Sequence, residues 1–143
     1  MAKSGYVNEI FNYAKDKNVI NNIVYEKSIN HNSVKALYRK CDVFLLPTRY
    51  EIFGMVLLEA MYFGIPTITT LNGGSSVLIK DGQNGYICGL DNIEEWKKSI
   101  KCILENKENY LSINATKTIE DNFVWGKLVY KFTKEYEEKN NEK

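Results

Sequence analysis

Histidine, cysteine, proline and any excess of charge are the scarce things in this sequence. The one histidine, His31, stands in a polar segment and reads as solvated, because catalysis by histidine needs partners that no nearby motif supplies. The three cysteines, Cys41, Cys88 and Cys102, are odd in number and match no metal-ligand spacing. They read as reduced, mostly buried small hydrophobes of a cytoplasmic protein. Lys+Arg 19 against Asp+Glu 18 leaves a net charge of +1, so no basic excess exists to neutralise phosphates and nucleic acid is not an expected partner. No apolar run approaches the roughly 18 residues of a membrane span. The start "MAKSGYVNEIF" lacks the apolar centre of a signal peptide, and the sequon Asn114-Ala115-Thr116 carries no weight without one. No internal repeat, low-complexity linker or second domain is visible.

What remains is an ordinary soluble composition over 143 residues, 44% hydrophobic and 26% charged, one domain or a piece of one. Val7, Ile10, Phe11 and Ala14 recur at helical spacing, and Ile23 to Tyr25 suggests a short strand. A helix capped by Asn32 or Ser33 follows, with Val34, Leu37 and Tyr38 on one face. "DVFLLP" reads as a strand buried on both faces of a parallel sheet and stopped by Pro47. "IFGMVLLEAMYFG" reads as a helix with Gly64 as C-cap and Pro66 beyond it. "IPTITT" is a β-branched strand, "LNGG" a turn, and "VLIKDGQNGYIC" carries turns at Asp81-Gly82 and Asn84-Gly85. From Asn92 the pattern is helical, with Ile93, Trp96, Ile100 and Ile103 on one stripe and a final amphipathic helix whose tail "EEKNNEK" is expected to fray. Alternating strands and helices predict an α/β domain, a doubly wound parallel sheet with helices on both faces.

The two prolines bracket the stretch that carries chemistry. Within "PTRYEIFGMVLLEAMYFGIP", Glu59 interrupts an apolar run, and burying a carboxylate costs several kcal/mol unless a partner satisfies it. In a doubly wound sheet, ligands sit outside the carboxyl ends of the strands, where the Pro47–Glu51 loop emerges. The next helix is expected to start near Ile52–Gly54, offering unpaired N–H groups to a phosphate, and Gly54 lets a ligand approach the backbone. Continued as helix, the eight residues from Glu51 to Glu59 would separate the two carboxylates by about 12 Å along the axis and turn them by roughly 80°. That suits hydroxyls at two points of one extended ligand with a diphosphate between them. On residues alone, Glu59 could equally pair with a lysine, an arginine or a backbone donor. Glu51 could be a charge favoured by the helix dipole, and Gly73-Gly74 merely a turn.

Glu51, seven residues, Glu59, set within Pro47, Phe53-Gly54, Gly64-Ile65-Pro66, Gly73-Gly74 and Asp81-Gly82, resembles the signature of retaining GT-B glycosyltransferases of the group 1 (family 4) type. The resemblance runs from about Ile23 to the closing helix. It implies a Rossmann-like domain, the C-terminal half of a GT-B fold lacking its first strand–helix–strand, that binds a nucleotide sugar, UDP- or GDP-linked. It implies that Glu51 meets the transferred sugar and acts in catalysis, and that Glu59 holds the ribose hydroxyls. The backbone at Phe53, Gly54 and Met55 approaches sugar hydroxyls and diphosphate, Gly73-Gly74 shapes a neighbouring loop, and Ile29 lies near the base. The implied reaction is hexosyl transfer with retention and without metal or other cofactor. The acceptor, a sugar, lipid or polysaccharide, would be bound by an N-terminal domain absent here. The parent would be cytoplasmic or peripheral at the inner face of the membrane.

Three departures stand out. Ile52 replaces a common glycine, Val77 stands where the pattern "GGxxE" has an acid, and the basic pair that holds the diphosphate precedes the segment this chain matches. The chain alone is therefore not expected to complete a reaction. Two rivals stay open: a truncated, non-catalytic nucleotide-sugar-binding module or partner-dependent subunit, and an epimerase-type half-domain. An uncovered sheet edge would favour a homodimer.

Overall fold

The computed structural model describes residues 4–105 and 109–141. The chain divides into two compact units, Met1–Val34 and Lys35–Lys143, with the division falling inside a helix. In the first unit, α1 (Ser4–Asp16) follows the expected periodicity and buries Ala14. A 3-10 turn (Ile20–Asn22) comes next, and the strand expected at Ile23–Tyr25 does not form. Among the described residues no strand pairs with that segment; Tyr25 instead meets Phe11 edge-on at 5.8 Å, and Val24 is 85% exposed. Without a ladder partner, β-branched residues have no pleated surface to pack on. In α2 (His31–Tyr38) the cap is Asn30, whose Oδ1 accepts from the Ser33 N–H, rather than Asn32 or Ser33. The solvation expected of His31 falls outside the described side chains.

The second unit is built on β1 (Phe44–Leu46), β2 (Thr67–Thr69) and β3 (Tyr86–Ile87), parallel in the order β1-β2-β3 with Leu45 opposite Ile68 and Ile68 opposite Tyr86. The remaining elements are α3 (Met55–Tyr62), α4 (Gly73–Leu78), α5 (Ile93–Glu105), α6 (Tyr110–Asn122) and α7 (Trp125–Asn141). Alternation across the strands separates two cores. Phe44, Leu46 and Ile87 face Leu57, Met61, Leu78, Ala115 and Ile119 of α3, α4 and α6. Ile68 and Tyr86 face Trp96, Ile100 and Ile103 of α5, together with Leu111. The doubly wound α/β arrangement is therefore as expected.

Several local readings need correction. β2 is wholly buried, but β1 is an edge strand and its Leu45 is 42% exposed, so burial on both faces holds for the central strand only. Ile93 lies off the buried stripe of α5 and is exposed. Of the cysteines only Cys88 is buried; Cys41 and Cys102 are exposed, because each sits on the outer side of its segment. The "LNGG" segment does not merely turn, for Asn72 caps α4 and the glycines open it. Gly64 terminates α3 as expected, at φ +69°, with its N–H on Met61 O and the Ile65 N–H on Ala60 O. Asn84 locks the "DGQNG" turn: it accepts from the Lys80 N–H and donates to Leu78 O and Thr118 Oγ1. The helical tail extends to Asn141; residues 142–143, within the stretch expected to fray, lie outside the described residues. Among the described residues no helix is long and apolar enough to cross a membrane.

Candidate functional site

The carboxyl ends of all three strands converge on one rim. An open crevice of about 370 Å³ lies there, lined by Thr48 and Arg49 after β1, Thr70 and Leu71 after β2, and Cys88 and Gly89 after β3. The strand ends are tied by side chains to main chain: Thr69 Oγ1 donates to Leu46 O at 3.0 Å, and Thr70 Oγ1 donates to Thr48 O. These bonds hold the start of the Thr48–Gly54 loop against the Leu71–Asn72 segment that leads into α4. Arg49 and Asp91 form an exposed ion pair at 3.7 Å on the same rim. Such a pair in water contributes little to stability.

The loop after β1 is longer than the sequence suggested. The helix begins at Met55, so Glu51 lies outside it, and the projected 12 Å and 80° relation between the carboxylates does not apply. Gly54 is the N-cap, in the left-handed region at φ +77°, and no side chain caps the helix. Glu51 curls back so that its Oε1 accepts from the Gly54 N–H at 3.1 Å. The internal ladder of α3 opens with Leu57 and Leu58 donating to Gly54 O, which leaves the Met55 and Val56 N–H groups outside it. Glu51 therefore stands at an open helix start, with one carboxylate oxygen engaged by the loop it belongs to.

Gly73 and Gly74 press on this same loop. The Gly73 N–H donates to Glu51 O at 3.1 Å. A Cβ at Gly73 would lie 2.4 Å from Ile52 O, and one at Gly74 would lie 2.0 Å from Phe53 O. Only bare backbone fits, so the pair sets the path of Glu51–Gly54. Ile52 and Phe53 turn their side chains outward and are exposed, as is Met55.

Glu59 is half-buried on α3, and its partner within the fold is neither a lysine, an arginine nor a backbone donor. Tyr38, at the end of α2, donates its hydroxyl to Glu59 Oε2 at 3.0 Å. A hydrogen bond to an ionised group contributes about 1.5–3 kcal/mol, enough to offset much of a partial burial. The Tyr38 ring is 9% exposed, stacked on Phe63 at 5.4 Å between centroids and tilted against Phe44 at 6.1 Å. Burial, then the hydrogen bond to Glu59 and its charge, push the Tyr38 hydroxyl from 10.0 up to about 12, so it stays a donor throughout the physiological range.

The structure thus brings Glu51, Phe53, Gly54 and Met55 together with Gly73 and Gly74 at one strand-end rim, and places Glu59 farther along the helix that starts there. Ile29 belongs to the Met1–Val34 unit, in the irregular stretch before α2. Two groups were not singled out from sequence: Tyr38, and the Asn72–Ser75 pair, whose side chains reciprocally bond each other's backbone N–H. The second has a sequence signal, a small polar residue three positions after an asparagine. The first has none beyond a tyrosine on an apolar helix face.

Comparison with known proteins bears on the family and the fold. Residues 3–118 match the family model described as glycosyl transferases group 1. An uncharacterized glycosyltransferase of Methanocaldococcus jannaschii is 31% identical over 129 residues, covering 83% of this chain and 37% of that protein. An alpha-1,3/1,6-mannosyltransferase of Dictyostelium discoideum is 27% identical, covering 82% of this chain and 28% of its own length. Among solved structures, HepE of Anabaena in complex with UDP superposes with a TM-score of 0.81 at 21% identity, over 96% of this chain and 38% of that one. The same protein in complex with UDP-glucose gives 0.77 at 22%, over 84% and 34%. At that identity the likeness shows the fold, that of GT-B glycosyltransferases, and the chain spans about a third of its relatives. With the family model matched over most of its length, the chain belongs to the glycosyl transferases group 1 family.

Proposed function

We propose that this chain is the donor-binding portion of a glycosyltransferase that moves a hexosyl group from a nucleotide sugar to an acceptor with retention. The observation that carries the reading is the open start of α3, where Glu51, the Gly54 cap and the Gly73-Gly74 pair meet at the carboxyl ends of parallel strands. A helix start with unpaired N–H groups favours a diphosphate. Glu51 would face the transferred sugar, the Phe53–Met55 backbone the diphosphate, and Glu59 the ribose. HepE, which shares the fold, is bound to UDP and UDP-glucose, which supports a UDP-linked donor here. Stabilisation of the leaving diphosphate by backbone dipoles would need no metal. The acceptor would be held by a further domain, in a cytoplasmic or membrane-peripheral parent.

The test is a thermal-shift panel of UDP-, GDP- and ADP-sugars with Glu59→Ala as control. Ligand at 100 times its dissociation constant stabilises by about 2.7 kcal/mol. A selective shift that vanishes in Glu59→Ala supports the reading; a folded protein silent to every donor rejects it for the isolated chain. A second reading is a partner-dependent or non-catalytic module. The edge position of β1 suits pairing of two copies, which light scattering after size exclusion would detect.

A further inference from the structure

We infer that Tyr38 is a positioning residue for nucleotide recognition: its hydroxyl holds one oxygen of Glu59 so that the other is presented to the vicinal hydroxyls of a ribose. The inference rests on the nucleotide-sugar reading above and extends it to a residue 21 positions before Glu59, on another helix. A carboxylate carries two oxygens and about four acceptor sites. Tyr38 occupies one of them on Oε2, and among the described residues no side chain donates to Oε1. Glu59 is only half-buried, so part of the residue is open to solvent.

The tyrosine ring is itself fixed. Phe63 stacks on it nearly parallel, with an interplanar angle of 14°, and Phe44 leans on it from β1. Phe63 caps the same helix that carries Glu59, and its N–H donates to Glu59 O. The donor and the acceptor are thus anchored to one framework. A glutamate with three free torsions would otherwise lose rotamer freedom on binding, a cost that pre-organisation removes. Tyr38 does not touch ligand in this arrangement; it acts through Glu59.

The test measures binding of UDP, GDP and ADP, each beside its 2′,3′-dideoxy counterpart, to the full chain by calorimetry. Wild type is expected to prefer the ribose form of its nucleotide by at least about tenfold, the size of one lost charge-assisted hydrogen bond. In Tyr38→Phe, which keeps the ring and its stack, that preference falls toward the Glu59→Ala level while affinity for the dideoxy form stays unchanged. Tyr38→p-aminophenylalanine, which restores a donor, recovers it. A Tyr38→Phe protein that keeps the wild-type ratio, where Glu59→Ala has lost it, overturns the inference alone and leaves Tyr38 as packing. Loss of affinity for ribose and dideoxy forms alike overturns it too. If Glu59→Ala keeps the ratio, or no nucleotide binds the wild type, the ribose reading fails and the inference with it. Should Tyr38→Phe not fold, Phe63→Leu decides: loosening the ring lowers the ratio if Tyr38 positions Glu59, and leaves it unchanged if not.

Discussion

Two helices start side by side at the carboxyl rim of the sheet, α3 after β1 and α4 after β2, and they are finished differently. The start of α4 is closed by Asn72 and Ser75, which satisfy each other's N–H groups at 2.9 Å. Ser75 also donates to Thr70 O, anchoring the helix to the strand it leaves. The start of α3 has a left-handed glycine, no side-chain cap and an acidic residue folded over its entrance. A self-satisfied helix start serves the fold, whereas an open one costs stability unless water or a ligand supplies acceptors. The closed helix also buttresses the open one, since its first two residues press against the Glu51–Gly54 backbone.

That contrast can be broken from the largest effect downward. Gly74→Ala should be the most damaging change, because its Cβ would strike Phe53 O; a loss of about 3 kcal/mol is expected in urea unfolding. A near-neutral result would mean the two loops are not tightly opposed. Gly54→Ala places a side chain at φ +77° with Leu57 Cδ1 3.0 Å away, for a cost of about 1–2 kcal/mol. Because it alters the open start, it should also weaken nucleotide binding beyond its effect on stability, and calorimetry would separate the two. Asn72→Ala should cost about 1 kcal/mol by removing the cap of α4, with much less change in nucleotide affinity. An affinity loss larger than that of Gly54→Ala would reverse the assignment of the open and closed ends.

Alkali supplies a milder probe. Tyr38 and Tyr86 are both raised from 10.0 to about 12, chiefly by burial, then by hydrogen bonds to Glu59 and Tyr110 respectively. The folded state therefore holds these protons more tightly than the unfolded chain. Their contribution is full below pH 10 and is lost as pH rises toward about 12. Melting curves across that window should fall less steeply for Tyr38→Phe than for wild type. Equal slopes would show that Tyr38 ionises as freely folded as unfolded.

The fold class, the succession of β1, α3 and β2, and the boundary role of Gly64 were legible from periodicity and turn chemistry, because those signals lie between near neighbours in the chain, whereas α4 was read as a turn and an extended piece. Of the residues singled out from sequence, Glu51, Gly54 and Gly73-Gly74 come together at one rim, with Glu59 farther along α3. Local signals mislead where a partner element decides the outcome. Ile23–Tyr25 has strand-forming residues but, among the described residues, no strand to pair with, and Leu45 has a core residue's chemistry at a sheet edge.

Sequence by itself determined that a carboxylate would interrupt the apolar face of α3 and that glycines would stand at two strand ends. Only tertiary structure decided what those residues meet. The Glu59 partner is a tyrosine 21 positions earlier, and the glycines at 73 and 74 fit because another loop's carbonyls lie where their side chains would be. The physical reason is range. Local propensity is read from adjacent residues, whereas a buried acceptor and a backbone crossing are set by packing, after the segments have come together.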